Sequence, residues 1–257
     1  RSTSSAPRRR IAVGNVTRPR RPDREKRIPS RMQVDASPSG INLSWQFEEE
    51  AWKQGFTQVA GIDEAGRGPI AGPVVAAAVI LPRTQAVPAV NDSKQLSAQC
   101  RDALSAQLEA NPDVKIGIAA VPVADIETFN ILRATHIAMQ RAAAALQPQP
   151  DFALVDGLPV DSLPLPSQAI VKGDARSASI AAASIIAKVA RDRMMVELHS
   201  AHPQYGFADN KGYATKPHLA ALQKYGPCPA HRRTFAPVAR VVNRTPVQLT
   251  LDLSNRG

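Results

Sequence analysis

The feature that most constrains this chain is the placing of four carboxylates at the ends of short apolar runs. Asp63 and Glu64 lie in QVAGIDEAG (Gln58 to Gly66), Asp156 in FALVDG (Phe152 to Gly157) and Asp174 in QAIVKGD (Gln168 to Asp174). Each run reads as a buried strand that gives way to a loop. A carboxylate there is desolvated, so it must be paired or bind a cation; otherwise its pKa rises or the fold loses stability. Salt-bridged strand ends and turn-forming Asp-Gly pairs are the other reading of the same residues.

The remaining pattern says what kind of fold can gather such ends. VVAAAVILP (Val74 to Pro82) follows the first run after only seven residues, too few for a helical crossover, which predicts an antiparallel hairpin. KIGIAAVPV (Lys115 to Val123) is a further strand, after a helix beginning near Ser97. Ala124 to Gln147 contains neither Gly nor Pro and is predicted as one long helix stopped by Pro148; a second Gly-free helix is predicted from Ser177 to Ser200. Trp45, Phe47, Trp52 and Phe56 mark an amphipathic lead-in, and shorter helical pieces are expected near Pro217 to Lys224. The order β-β-α-β-α-β-β-α describes an α/β domain built on a mixed sheet.

Charge divides the chain unevenly. The net charge is +10, but residues 1 to 40 hold 11 basic and 3 acidic groups, so the rest is close to neutral. A whole-chain argument from basicity to nucleic-acid binding therefore fails. Residues 1–44 read as an Arg-rich disordered tail, 45–240 as the folded domain and 241–257 as a C-terminal tail. No run is long and apolar enough to suggest a membrane span, and Cys100 and Cys228 lack metal or disulfide spacing; a cytoplasmic location is expected.

No His or Cys accompanies the four acids, and an oxygen-only set suits hard divalent ions such as Mg²⁺ or Mn²⁺. Two such ions about 3.5 to 4 Å apart would activate a water beside a phosphodiester and stabilise the leaving oxygen. Neighbours on a regular strand point to opposite faces, so Asp63 and Glu64 can share an ion only if the backbone turns at the strand end, where Gly66 stands. Gly66, Arg67 and Gly68 would let a backbone approach a ligand closely, although such a pair of glycines is also an ordinary tight turn. Ser184, Lys188 and Arg191 share one helix face, which also reads as a solvated stripe. The polar segment from His202 to His218 carries Tyr205 and Tyr213, able to stack on a sugar or base or to lie in a plain surface loop.

Together and in order, DEAGRGP, NDSKQLS, LVDG, VKGD, SIIAKVARD and YGFADNKGYATKPH resemble bacterial ribonuclease HII over roughly Val59 to Val238. The resemblance implies a ribonuclease H-like five-stranded mixed sheet flanked by helices, with a C-terminal helical extension. It implies cutting of RNA in RNA:DNA hybrids and at single ribonucleotides in duplex DNA, with Mn²⁺ or Mg²⁺ held by Asp63, Glu64, Asp156 and Asp174. Gly66, Arg67 and Gly68 would read the ribose 2′-hydroxyl and Tyr213 the neighbouring deoxyribose, with Tyr205 as the alternative to Tyr213. Lys94, Ser184 and Lys188 would face phosphates, with Arg191 beside the last two on the same helix face. Another metal nuclease on the same fold, or a nucleic-acid-binding protein without catalysis, would leave the Gly loop and Tyr213, or the complete acid set, unexplained. Outside the family core, QLTLDL (Gln248 to Leu253) looks like a sliding-clamp peptide or an ordinary tail. A monomer is expected, and the histidines receive no role.

Overall fold

The computed structural model describes residues 44–83, 97–160 and 163–243. The Arg-rich tail, Lys94 and Gln248 to Leu253 lie outside the described residues.

Runs rich in Val, Ile and Ala are most stable as strands covered on both faces. Here β1 (Val59–Ala65), β2 (Val74–Ile80), β3 (Lys115–Val121), β4 (Phe152–Asp156) and β5 (Ser167–Ile170) form one sheet, in the order β3-β2-β1-β4-β5. β1 pairs antiparallel with β2, and β2 with β3, so the short connection does make a hairpin. The β1–β4 and β4–β5 pairs are parallel, giving the mixed sheet that the order of runs predicts.

Alternation along the strands divides the interior in two. Ala60, Ile62, Ala76 and Ala78 meet Ala134, Ala138, Met139 and Ala142 of α3 (Val123–Ala144) on one face. Ala77 and Val79 meet Ala178, Ala182, Ala183 and Ile186 of α4 (Ala178–Ala201) on the other. The approach of α4 is close because β1 carries Gly61, where an added Cβ would lie 2.1 Å from the Ser179 carbonyl carbon. The lead-in is α1 (Gln46–Lys53), whose Glu48 carboxylate accepts from the Ser179 amide and the Ser177 and Ser179 hydroxyls at the start of α4. On α2 (Ala98–Ala110), Ser97 accepts from the Cys100 amide as N-cap. Beyond α4, the short α5 (Phe207–Asn210), α6 (Lys216–Tyr225) and α7 (Ala236–Val242) form the helical extension. Phe207 of α5 joins Met195, Tyr205 and Cys228 in a small apolar cluster there.

Two expectations need correction. The predicted long helix is broken at Asn130, which stands at φ 66, ψ 165 while its Oδ1 accepts from the Arg133 amide. Asn adopts positive φ more readily than most residues and caps the next helical turn, so a window free of Gly and Pro conceals the break. The run ending in Asp174 is not strand to its end. β5 stops at Ile170, Lys172 is left-handed at φ 55, and Asp174 sits in a 3₁₀ turn, Gly173–Ala175.

Among the described residues, no helix is long and apolar enough to cross a membrane. Gly61→Ala forces α4 off the sheet and is expected to cost about 3 kcal/mol in urea unfolding; an unchanged midpoint would show that α4 does not rest on β1 in this way.

Candidate active site

Parallel pairing makes the C-terminal ends of β1 and β4 point the same way, and a cavity of about 440 Å³ opens beside them. Asp63 and Glu64 from β1 and Asp156, the last residue of β4, line it. No turn separates the first two, because β1 stays in register with β2 as far as Ala65 opposite Val75; the left-handed residue is Gly66, at φ 99. The two side chains nonetheless reach one cavity, which spans the end of the sheet.

Asp63, Glu64 and Asp156 each have a local donor. Asp63 is only 5% exposed, and its Oδ1 accepts from the Glu64 amide at 2.6 Å. Burial pushes its pKa well above the usual carboxylate range, and the charges of Asp156 and Glu64 add to this, against hydrogen bonds from the Glu64 amide and Ser184. Burial also raises Glu64, whose Oε1 lies 3.1 Å from Nη1 of Arg67, a hydrogen bond and charge that oppose the rise. Asp156 Oδ1 accepts from the amides of Gly173 at 2.7 Å and Asp174 at 3.4 Å. Asp174 is buried in its 3₁₀ turn and is not among the residues lining the cavity. Among the described residues, no three His, Cys, Asp or Glu side chains stand together as a formed metal shell. Three of the four predicted acids thus line one cavity without forming a metal shell, and the fourth, Asp174, is tied to Asp156 through its amide.

The glycine loop is held from below by two buried arginines. Arg191 donates to the carbonyls of Ala71, Pro73 and Lys211, so it is an internal brace and not a solvated residue, and it borders the cavity from that position. Arg232, fully buried, donates to the carbonyls of Gly66, Arg67, Pro69 and Gly72. Burial, and then the charge of Arg191, push the Arg232 pKa down to about 9, which still leaves it charged at neutral pH.

A peptide group is planar and trans, so a carbonyl turned towards Arg232 sends the N–H of the same peptide the opposite way. The carbonyls of Gly66 and Arg67 point at the guanidinium. The amides of Arg67 and Gly68 are therefore turned away from it. Gly66 is required by the brace itself, since at φ 99 a Cβ would lie 2.1 Å from Nε of Arg191. Gly68 is different: its nearest neighbour would be Tyr213 Cε1 at 3.7 Å, an ordinary contact, so packing does not demand glycine there.

Ser184, Lys188 and Tyr213 line the same cavity. Lys188 is paired with Asp192 one turn further along α4. The Tyr213 ring is about half exposed, whereas Tyr205 is buried, donates its hydroxyl hydrogen to the Gly226 carbonyl and stacks on Phe207, which makes it a core residue. Sequence reasoning missed Arg101 of α2, which also lines the cavity, and Arg232. The basic pair Arg232 and Arg233 in HRRTF reads as solvated charge, and nothing local reveals that one of the two is internal. His218 and His231 are buried as well.

Lys carries a single ammonium that cannot reach four carbonyls in the way a guanidinium fork can. Arg232→Lys is therefore expected to lower stability by at least about 2 kcal/mol in thermal unfolding. An unchanged melting temperature would show that the loop holds itself.

Residues 60–238 match the family Ribonuclease HII. The ribonuclease HII of Geobacillus kaustophilus is 54% identical over 206 residues, which make up 79% of this chain and 78% of that protein. The solved ribonuclease H2 of Pyrococcus horikoshii OT3 aligns with TM-score 0.63 and 27% identity over 73% of this chain and 98% of that one. The ribonuclease HII in the PCNA:RNase HII complex of Archaeoglobus fulgidus aligns with TM-score 0.59 and 26% identity over 70% and 95%. The matched stretch takes in the sheet from Ala60 onward, the acids, the braced loop and both arginines, and on this ground the chain belongs to the ribonuclease HII family and is a metal-dependent ribonuclease H.

Proposed function

We propose that the cavity hydrolyses the RNA strand of RNA:DNA hybrids and cuts 5′ of single ribonucleotides embedded in duplex DNA, leaving 5′-phosphate and 3′-hydroxyl ends. The observation that carries this reading is that three carboxylates, a braced glycine loop and an exposed tyrosine line one cavity. Asp63, Glu64 and Asp156 would hold two divalent ions, with Asp174 completing the set. The donor set fits: it is all oxygen, and the burial that raises Asp63, together with the repulsion from Asp156 and Glu64 that adds to it, is what a hard cation would offset. Such ions supply an activated water and a charge on the leaving oxygen. Either Mn²⁺ or Mg²⁺ suits these donors.

Discrimination is assigned to the chain's own groups. The outward amides of Arg67 and Gly68 can approach a sugar, and a 2′-hydroxyl is what separates RNA from DNA there. Tyr213, across from Gly68, would stack on the adjoining deoxyribose. Ser184 and Lys188, Lys94, and now Arg101, would contact phosphates, which position a duplex without reading its sequence. The loop and Tyr213 favour this substrate over those of another metal nuclease on the same fold.

Three labelled duplexes test the reading: all-DNA, one-ribonucleotide and RNA:DNA hybrid, each with and without Mn²⁺ or Mg²⁺. Cleavage is expected only of the latter two, only with metal, and not by Asp63→Asn; an active Asp63→Asn enzyme would overturn it. Tyr213→Ala should impair the one-ribonucleotide duplex more than the hybrid.

Stability gives a second readout. A carboxylate whose folded pKa is raised opposes folding when ionised, an effect present at neutral pH that fades as the pH falls. Asp63→Asn should therefore melt higher than wild type without metal at pH 7, the gap closing towards pH 4. Saturation at a hundred times Kd should stabilise wild type by about 2.7 kcal/mol and the variant far less. Equal stabilisation of both would remove Asp63 from the metal site.

The free thiols of Cys100 and Cys228 suit the reducing cytoplasm of a cell, and we read the protein as a monomer. A related enzyme is known in complex with PCNA, which supports QLTLDL as a clamp-docking peptide. Deleting Gln248 to Gly257 should abolish capture by an immobilised sliding clamp while leaving cleavage intact; unchanged capture would dispose of the idea.

A further inference from the structure

We propose that His218 and His231 are positioning residues whose hydrogen-bonded chain sets the place of Tyr213 opposite the glycine loop. The proposal rests on the reading of Tyr213 as a substrate contact and goes beyond it by naming what holds that residue.

One fixed donor determines every hydrogen in the chain. The Cys228 amide donates to Nδ1 of His231 at 3.1 Å, so that nitrogen is an acceptor and the neutral ring carries its hydrogen on Nε2. Nε2 of His231 lies 3.0 Å from Nε2 of His218. The first must donate and the second accept, which leaves the His218 hydrogen on Nδ1. That N–H donates to the Tyr213 carbonyl at 2.7 Å. Both imidazoles are buried, and burial lowers the pKa of each, that of His231 to about 4. A proton added to either ring would set N–H against N–H. Neutral rings thus give the chain one direction, from Cys228 to Tyr213.

The rings are themselves walled in. Tyr205 meets His231 edge-on with centroids 4.7 Å apart, and Phe207 meets His218 at 5.4 Å. Tyr213 has no such wall, because its own ring is half exposed. Its backbone is held instead: the amide donates to the Asn210 carbonyl, and the carbonyl accepts from the Thr215 amide as well as from His218. His231 directly precedes Arg232, whose guanidinium holds the facing loop. One short stretch, Cys228 to Arg232, therefore gauges the gap between Gly68 and Tyr213 from both sides.

The full chain, labelled with 3-fluorotyrosine, tests this. It has three tyrosines, so the Tyr213 ¹⁹F line can be identified by its loss in Tyr213→Phe. His218→Phe keeps the ring shape without a donor, whereas His218→Asn returns an N–H near the Nδ1 position. The Tyr213 line is expected to shift or broaden in His218→Phe and to move back in His218→Asn. In parallel, the ratio of kcat/KM on the one-ribonucleotide duplex to that on the hybrid should fall about fivefold in His218→Phe and recover in His218→Asn. Should His218→Phe not fold, His231→Leu and His231→Gln repeat the comparison one link away, the glutamine keeping the donor to His218.

An unmoved Tyr213 line, or equal damage with and without the replaced donor, overturns the proposal. If the line follows the donor while Tyr213→Ala harms both substrates alike, the positioning stands and the substrate role of Tyr213 falls.

Discussion

A guanidinium buried among backbone carbonyls is the interaction on which the shape of the site depends. Arg232 takes four carbonyls from the segment between Gly66 and Gly72, and Arg191 takes those of Ala71 and Pro73. A buried charge is costly unless its donors are all engaged, and here a loop with little regular structure supplies the acceptors. Either arginine alone would leave part of the segment unbraced. With both in place, the loop backbone is fixed from inside the protein and its outward amides are left to the cavity.

The sheet supplies the other half of the geometry. Its two-residue alternation sends Ile62 and Ala76 to α3 and Ala77 and Val79 to α4, so the sheet is a buried layer with its useful surface at the ends of its strands. Asp63, Glu64 and Asp156 occupy such ends. Gly61 extends the same logic: it lets the start of α4 rest on β1, and Ser184 and Lys188, further along that helix, are thereby delivered to the cavity wall.

Much of this was legible in the sequence because it is local. Short continuous apolar runs mark buried strands, and a carboxylate at the end of such a run is conspicuous, so Asp63, Glu64 and Asp156 stand out from residue order alone. Asp174 was legible as a residue but not as a position, because a left-handed Lys172 ends the strand early and lysine gives no warning of it. Asn130 hid a break for the same reason. Arg191 and Arg232 were beyond reach: burial of an arginine is decided by carbonyls over a hundred residues away, and in sequence such a residue looks like any solvated charge. The histidine chain was hidden too, since a tautomer is fixed by a partner's amide and not by residue type.

The distribution of charge within the site reflects this division of labour. Had Arg191 or Arg232 been turned into the acid cluster, direct pairing would have neutralised it and weakened any pull on a divalent cation. Carbonyl dipoles engage both arginines instead, so although Arg191 borders the cavity, the carboxylates keep the mutual repulsion that adds to burial in raising Asp63. The ion pair resolved at the mouth, between Glu64 and Arg67, involves an arginine side chain that is 52% exposed. A pair open to water contributes little and exchanges easily. On the proposed reading, Arg67 can release Glu64 to an incoming cation while its own backbone, held by Arg232, stays in place.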